Sequence, residues 1–143
     1  MITRRASAVW EGTLKDGKGQ MSLGSGAFQG AYTFASRFEN GPGTNPDELL
    51  GAAYAGCFSQ ALSLGLTEAG YPPTRITTEA AVQLEKGETG HSITQIRVKT
   101  TGVVPGVDAA TFRKHAEEAK DGCPIGRVLT GVEKTLEAKL ENA

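Results

Sequence analysis

One stretch constrains this chain more than any other, residues 49–66, LLGAAYAGCFSQALSLGL. A well-marked start precedes it. Asn45 suits an N-cap, Pro46 fits the first helical position, and Glu48 falls where a capping box places its carboxylate. The spacing predicts a helix from there to about Glu68, stopped by Gly70-Tyr71-Pro72-Pro73. This helix is apolar on nearly all sides, so it is expected to be covered all round. Ser59, Gln60, Ser63 and the glycines make it weakly hydrophobic, and Asp47, Glu48 and Glu68 bracket it. A core helix is therefore expected, not a membrane span. Gly51, Ala52, Ala53, Ala55 and Gly56 would let another backbone approach closely.

Around the helix lie strand-like segments. Residues 6–15 and 18–25 read as strands joined by an Asp16-Gly17 turn. Residues 30–38 alternate Tyr32, Phe34, Ser36 and Phe38 against Ala31, Thr33, Ala35 and Arg37, which predicts a third strand. Residues 74–86 and 91–104, rich in β-branched side chains, predict two long strands. Asp108 can cap a helix over about 109–120, Pro124 opens a short one, and 132–140 alternates as a last strand. Segregated runs of strands and helices argue for an α+β fold. The 143 residues make one domain, 1–143, with no internal boundary or repeat.

Charge excludes some functions. With 15 basic and 16 acidic residues there is no surplus for nucleic acid or an anionic membrane. No signal peptide is read at the start. Two cysteines 66 positions apart then suggest reduced cytoplasmic thiols. His91 and His115 form no ligand spacing with either cysteine, so no metal is expected. Gly24-x-Gly26 lacks the rest of a dinucleotide fingerprint.

The cysteines carry what chemistry remains. Cys57 lies mid-helix, where a small core residue and a nucleophile are both open readings. It stands roughly 18 Å past Asn45, too far for that helix end to activate it. A thiolate there needs a cation, and Arg37 is the candidate. A carboxylate must hold that arginine, from Asp47 or Glu48. Each is about 14–15 Å from Cys57 along a straight helix, so something other than that helix must bring the set together, and a second subunit crossing at the small-residue face would do so. Cys123 suits the N-cap of the third helix, and capping alone favours it as the more acidic thiol.

The run Gly43-Thr44-Asn45-Pro46-Asp47-Glu48-Leu49-Leu50-Gly51-Ala52-Ala53-Tyr54-Ala55-Gly56-Cys57-Phe58 resembles the helix signature of the osmotically inducible protein C and organic hydroperoxide resistance family. Ala119-Lys120-Asp121-Gly122-Cys123-Pro124, Trp10-Glu11-Gly12 and Val104-Pro105-Gly106-Val107-Asp108 fit as well. Arg37-Phe38-Glu39, just before the loop, places the resemblance nearest the osmotically inducible branch. It implies an intertwined homodimer whose long central helices pack against six-stranded, mostly antiparallel sheets built from both chains. It implies a thiol peroxidase that reduces organic hydroperoxides without metal or organic cofactor. Cys57 would be the peroxidatic thiolate, Cys123 the resolving thiol and Arg37 the activating cation. The family's carboxylate is usually glutamate where Asp47 stands, and Glu48 is the alternative. An external thiol or dithiol, such as a lipoyl protein, would recycle the disulfide. Tyr54, Phe58 and Leu62 are expected to line an apolar substrate pocket. Two other readings stay open. One is a redox sensor that toggles the same pair without turnover, and the other is a structural dimer with two core cysteines.

Overall fold

The computed structural model describes residues 1–142. The chain divides into two compact units, Met1–Leu49 and the residues from Leu50 on.

The first unit opens with an antiparallel meander of β1 (Ala6–Glu11), β2 (Lys18–Leu23) and β3 (Gln29–Tyr32), in the order β1-β2-β3. β1 and β2 are shorter than expected. A turn takes residues 12–17, closed by Gly17 N–H to the Thr13 carbonyl at 2.8 Å. Trp10 and Tyr32 flank Gly19, with ring centroids 5.2 Å apart. A Cβ at Gly19 would lie 2.6 Å from both rings, so only glycine fits between them.

The third strand departs most from expectation. It ends at Tyr32, and Phe34–Phe38 form a short helix, α1. The cause is local. The Thr33 hydroxyl accepts from Ser36 N–H at 3.1 Å, and the Ser36 hydroxyl accepts from Thr33 N–H at 2.9 Å. That reciprocal capping box outcompetes the ladder. Phe34 and Phe38 thereby become neighbours one turn apart, with centroids at 4.9 Å.

The long helix α2 spans Pro46–Glu68, as the sequence indicates. Asn45 caps it, its side-chain oxygen accepting Glu48 N–H at 2.7 Å. The Glu48 carboxylate accepts the Thr44 hydroxyl at 2.8 Å instead of closing a box on Asn45.

In the second unit, β4 (Arg75–Gly87) and β5 (Gly90–Val103) form an antiparallel hairpin, and Gly90 turns at φ +116. β6 (Glu133–Leu140) joins β5 in parallel. A parallel neighbour needs a crossover, which α3 (Ala109–Gly122) and α4 (Pro124–Val128) supply. The described strands thus make two three-stranded sheets, with one parallel pair. Tyr54, Phe58, Leu62 and Leu66 from one face of α2 meet Ile96 and Val98 of β5 and Phe112, Ala116 and Ala119 of α3 in the core.

The helix is not covered all round. Ala52, Ala53, Gly56 and Gln60 are exposed, and Leu64 is 60% exposed. α2 has the length and apolar composition to cross a membrane. Its Tyr54–Leu66 face is nonetheless committed to the protein core.

Candidate active site

Two clusters hold the residues singled out by the sequence. The first lies in the second unit and contains both thiols. Cys57 is half-buried on α2, and Cys123 is 1% exposed between α3 and α4. Cys57 packs against the buried cluster that contains Cys123. Each sulfur also accepts a backbone amide from the start of α4. Ile125 N–H reaches Cys57 Sγ at 3.4 Å, and Gly126 N–H reaches Cys123 Sγ at 3.2 Å. Residues far apart in sequence thus share one helix end.

Cys123 is the N-cap of α4, as the sequence suggests. Its acidity runs against the capping argument. Burial pushes the Cys123 thiol up, the amides of Gly126 and Ile125 oppose this, and the neighbouring Cys57 adds to the rise. Desolvation outweighs the helix end because α4 is a single short turn.

This shift has a measurable consequence for stability. A folded-state pKa raised above the unfolded value stabilises the native protein below the ordinary thiol range. That stability is lost as pH rises through the folded value. The reduced protein is expected to weaken above about pH 8.5, by up to about 1.4 kcal/mol per pH unit from this group. Urea denaturation from pH 7 to 10 checks it, and Cys123→Ser is expected to flatten the slope.

Tyr54 and Lys134 brace the turn that bears Cys123. The Tyr54 hydroxyl donates to the Lys120 carbonyl at 2.7 Å. Burial raises its pKa, so it remains a donor. Lys134 Nζ donates to the Gly126 carbonyl at 2.8 Å and pairs with Asp121 at 3.1 Å. The sequence reading missed Lys134, although a signal exists. It shares the period-2 face of β6 with Leu136, Ala138 and Leu140, where an apolar residue is expected.

The second cluster lies in the first unit. Arg37, on α1 and not on a strand end, grips Asp47 through two bonds. Nε reaches Oδ2 at 3.1 Å, and the second guanidinium nitrogen reaches Oδ1 at 3.2 Å. Aspartate therefore reaches the arginine despite its shorter side chain, and Glu48 is engaged with Thr44. Asp47 is buried and the Arg37 side chain about one-third exposed. Beside Arg37 lies a pocket of about 230 Å³, walled by Trp10, Leu14, Tyr32, Phe34 and Phe38. Its aromatic character departs from the pocket expected. Tyr54, Phe58 and Leu62 have no exposed surface and belong to the core. Helical periodicity put them on one face, but that face is the one turned inward.

No cluster of three metal-binding side chains occurs among the described residues. An α+β chain with a reachable thiol and a buried one gathered at one helix end defines a dithiol protein. The chain belongs to the OsmC-like protein family, whose family model matches residues 39–137. It is 49% identical over 142 residues to peroxiredoxin OsmC of Escherichia coli K12, covering 99% of each chain. It is 30% identical over 97 residues to the organic hydroperoxide resistance protein OhrA of Bacillus subtilis, covering 66% of each. Among solved structures, an organic hydroperoxide resistance protein from Elizabethkingia anophelis superposes with a TM-score of 0.81, at 23% identity over 99% of this chain and 98% of that one. That likeness establishes the α+β fold of the family.

Proposed function

We propose that the chain is a peroxidase that reduces organic hydroperoxides with its two cysteines. The convergence of a reachable Cys57 and a buried Cys123 on neighbouring amides of α4 carries this reading. The Cys57 thiolate attacks the outer oxygen of ROOH. The O–O bond breaks, the sulfur takes that oxygen as a sulfenic acid, and the alkoxide leaves as ROH after taking a proton. Cys123 then forms the S–S bond, and the sulfenic oxygen departs as water. An external thiol or dithiol reduces the disulfide by exchange. Peroxiredoxin OsmC, a relative matched over nearly its whole length, supports the peroxidase class. The hydroperoxide resistance name of the Bacillus relative supports the substrate class.

Arg37, held by Asp47, is the cation that stabilises the thiolate and the charge developing on oxygen. A bidentate carboxylate fixes the direction of a guanidinium. The aromatic pocket beside Arg37 suits an alkyl or aryl tail and offers nothing comparable to hydrogen peroxide. No metal or organic cofactor is invoked.

The active form is a homodimer, and residues 1–143 act as one domain in it. Two observations support this. The Ala52-Ala53-Gly56-Gln60-Leu64 face of α2 is open, and a Cβ at Gly56 would meet nothing within 4 Å. Three strands with Val9 62% exposed and Leu23 41% exposed lack the cover that small sheets need. A second copy would cover both and bring an Arg37–Asp47 pair to each Cys57. Leu64→Glu is expected to shift the protein from dimer to monomer in sedimentation velocity, with activity falling alongside. A monomeric wild type with full activity would remove this part of the reading. A dimer whose α2 face lies inside the protein is a soluble one, and reduced thiols suit the cytoplasm.

Steady-state consumption of cumene and tert-butyl hydroperoxide, beside hydrogen peroxide, tests the function with a dithiol reductant in excess. Sustained turnover at least about tenfold faster on the organic peroxides is expected. Oxidation that stops after one equivalent would favour the sensor reading. Thiols that resist alkylation until unfolding would favour the structural one.

A further inference from the structure

We propose that Lys134 is a positioning residue for the resolving step, holding the Cys123 turn so that its sulfur stays against Cys57. The proposal rests on the peroxidase reading above.

Lys134 stands on the apolar face of β6, and its side chain is only 6% exposed. A buried ammonium is costly unless every donor finds a partner. Its partners all bear on one short piece of backbone. Asp121 lies in the last turn of α3, and Gly126 lies in α4. Cys123 sits between them, closing α3 through its N–H to Ala119 and opening α4. The Gly126 peptide is the direct link. Its carbonyl accepts the ammonium, and its N–H holds Cys123 Sγ. That site tolerates no Cβ, which would crowd the Lys120 carbonyl and approach Cys123 Sγ to 3.2 Å. Lys134 also lies over the Tyr54 ring, 5.9 Å from its centroid, and Tyr54 grips the same turn from α2. The ammonium thus spans the two helices that meet at Cys123, and it acts through backbone, not on the sulfur.

The chemistry requires such a brace. In resolution, Cys57–SOH and Cys123–SH become Cys57–S–S–Cys123 and water. The S–O bond breaks as the S–S bond forms, and the departing hydroxyl leaves with the Cys123 proton. A turn that drifts outward delays this step and leaves the sulfenic acid to a second peroxide. That competing reaction yields a sulfinic acid and a second alcohol.

Stopped-flow separation of the two half-reactions tests the proposal on the full-length reduced protein, with cumene hydroperoxide. Lys134→Met is expected to leave the second-order attack rate within about twofold. The first-order disulfide-forming rate is expected to fall about tenfold or more, since small misplacements of reacting groups are costly. Sulfinic acid at Cys57, read by mass spectrometry, rises in parallel. Lys134→Arg, which keeps a cation for Asp121, is expected to recover most of the resolving rate. Asp121→Asn, at an exposed carboxylate, should slow resolution in the same direction and serves if Lys134→Met does not fold. A merely structural role would lower stability without changing the ratio of the two rates. Unchanged resolution in Lys134→Met or, failing that, in Asp121→Asn overturns the proposal while leaving the peroxidase reading intact. A wild type that forms sulfenic acid but no Cys57–Cys123 disulfide overturns both.

Discussion

Cys57→Ser is expected to abolish peroxide reduction, with kcat/KM for cumene hydroperoxide falling at least about 10⁴-fold, the scale of losing a catalytic nucleophile. A hydroxyl cannot supply the soft, ionised sulfur that attacks a peroxide bond. The position is also the one a substrate can approach. Cys57 is half-buried, whereas Cys123 is 1% exposed and its thiol is pushed up by burial. Cys123→Ser should behave differently. Serine keeps a side-chain oxygen for Gly126 N–H, so the cap of α4 survives. Without reductant, the wild type is expected to release one alcohol and lose two thiols per chain. Cys123→Ser is expected to release the first alcohol at an undiminished rate and lose one thiol. Alcohol release by chromatography and thiol titration on the same samples check both. Loss of the first alcohol in Cys123→Ser, with Cys57→Ser active, would exchange the two roles.

The legibility of this site in the sequence was uneven, for identifiable reasons. Everything set by neighbours along the chain was readable. The Asn45-Pro46 start of α2, the Asp108 cap of α3 and the Cys123 cap of α4 are local hydrogen bonds, and their residue types announce them. The long strands β4 and β5 lie within a residue or so of their expected limits, because β-branched runs bounded by glycines leave few alternatives. Local signals failed where two were superimposed. Residues 32, 34, 36 and 38 alternate like a strand, yet Phe34 and Phe38 are also one helical turn apart. The Thr33–Ser36 box decides between the two. That misreading placed Arg37 on a strand end instead of on α1.

Long-range choices are not readable from local signals. Only the family resemblance joins Cys57 to Cys123, since nothing local fixes where a turn 66 residues away will pack. The sequence leaves Asp47 the freer carboxylate for Arg37, because Glu48 suits a capping box, and Thr44 is what occupies Glu48. The apolar residues of α2 were recognised, but their direction was not. Phe58 and Leu62 went to the core, while the aromatic wall beside Arg37 came from the meander and α1. The family resemblance supplies the cysteine roles, whereas the capping argument alone favours Cys123 as the more acidic thiol.

Arg37→Met is expected to lower the second-order rate of peroxide attack about 10²–10³-fold, the usual effect of removing one preorganised stabiliser of developing charge. The loss falls on the chemical step because the cation matters most when the O–O bond is breaking. Arg37→Lys should recover only part of it. Lysine keeps the charge but cannot make the two-pronged contact that Nε and the second nitrogen make with Asp47. Asp47→Asn tests the carboxylate separately. It preserves shape but sets an amide donor against the guanidinium, so Arg37 loses its fixed direction. A smaller loss, about tenfold, is expected from it. The double variant Arg37→Met with Asp47→Asn should be no slower than Arg37→Met alone, because the carboxylate acts only through the arginine. Stopped-flow rates with cumene hydroperoxide complete this cycle. If the two losses multiply instead, Asp47 has its own part in the reaction. If Arg37→Met attacks peroxide at the wild-type rate, the pair only ties α1 to the start of α2. The thiolate of Cys57 would then have to draw its stabilisation from the amides of α4, beginning with Ile125 N–H.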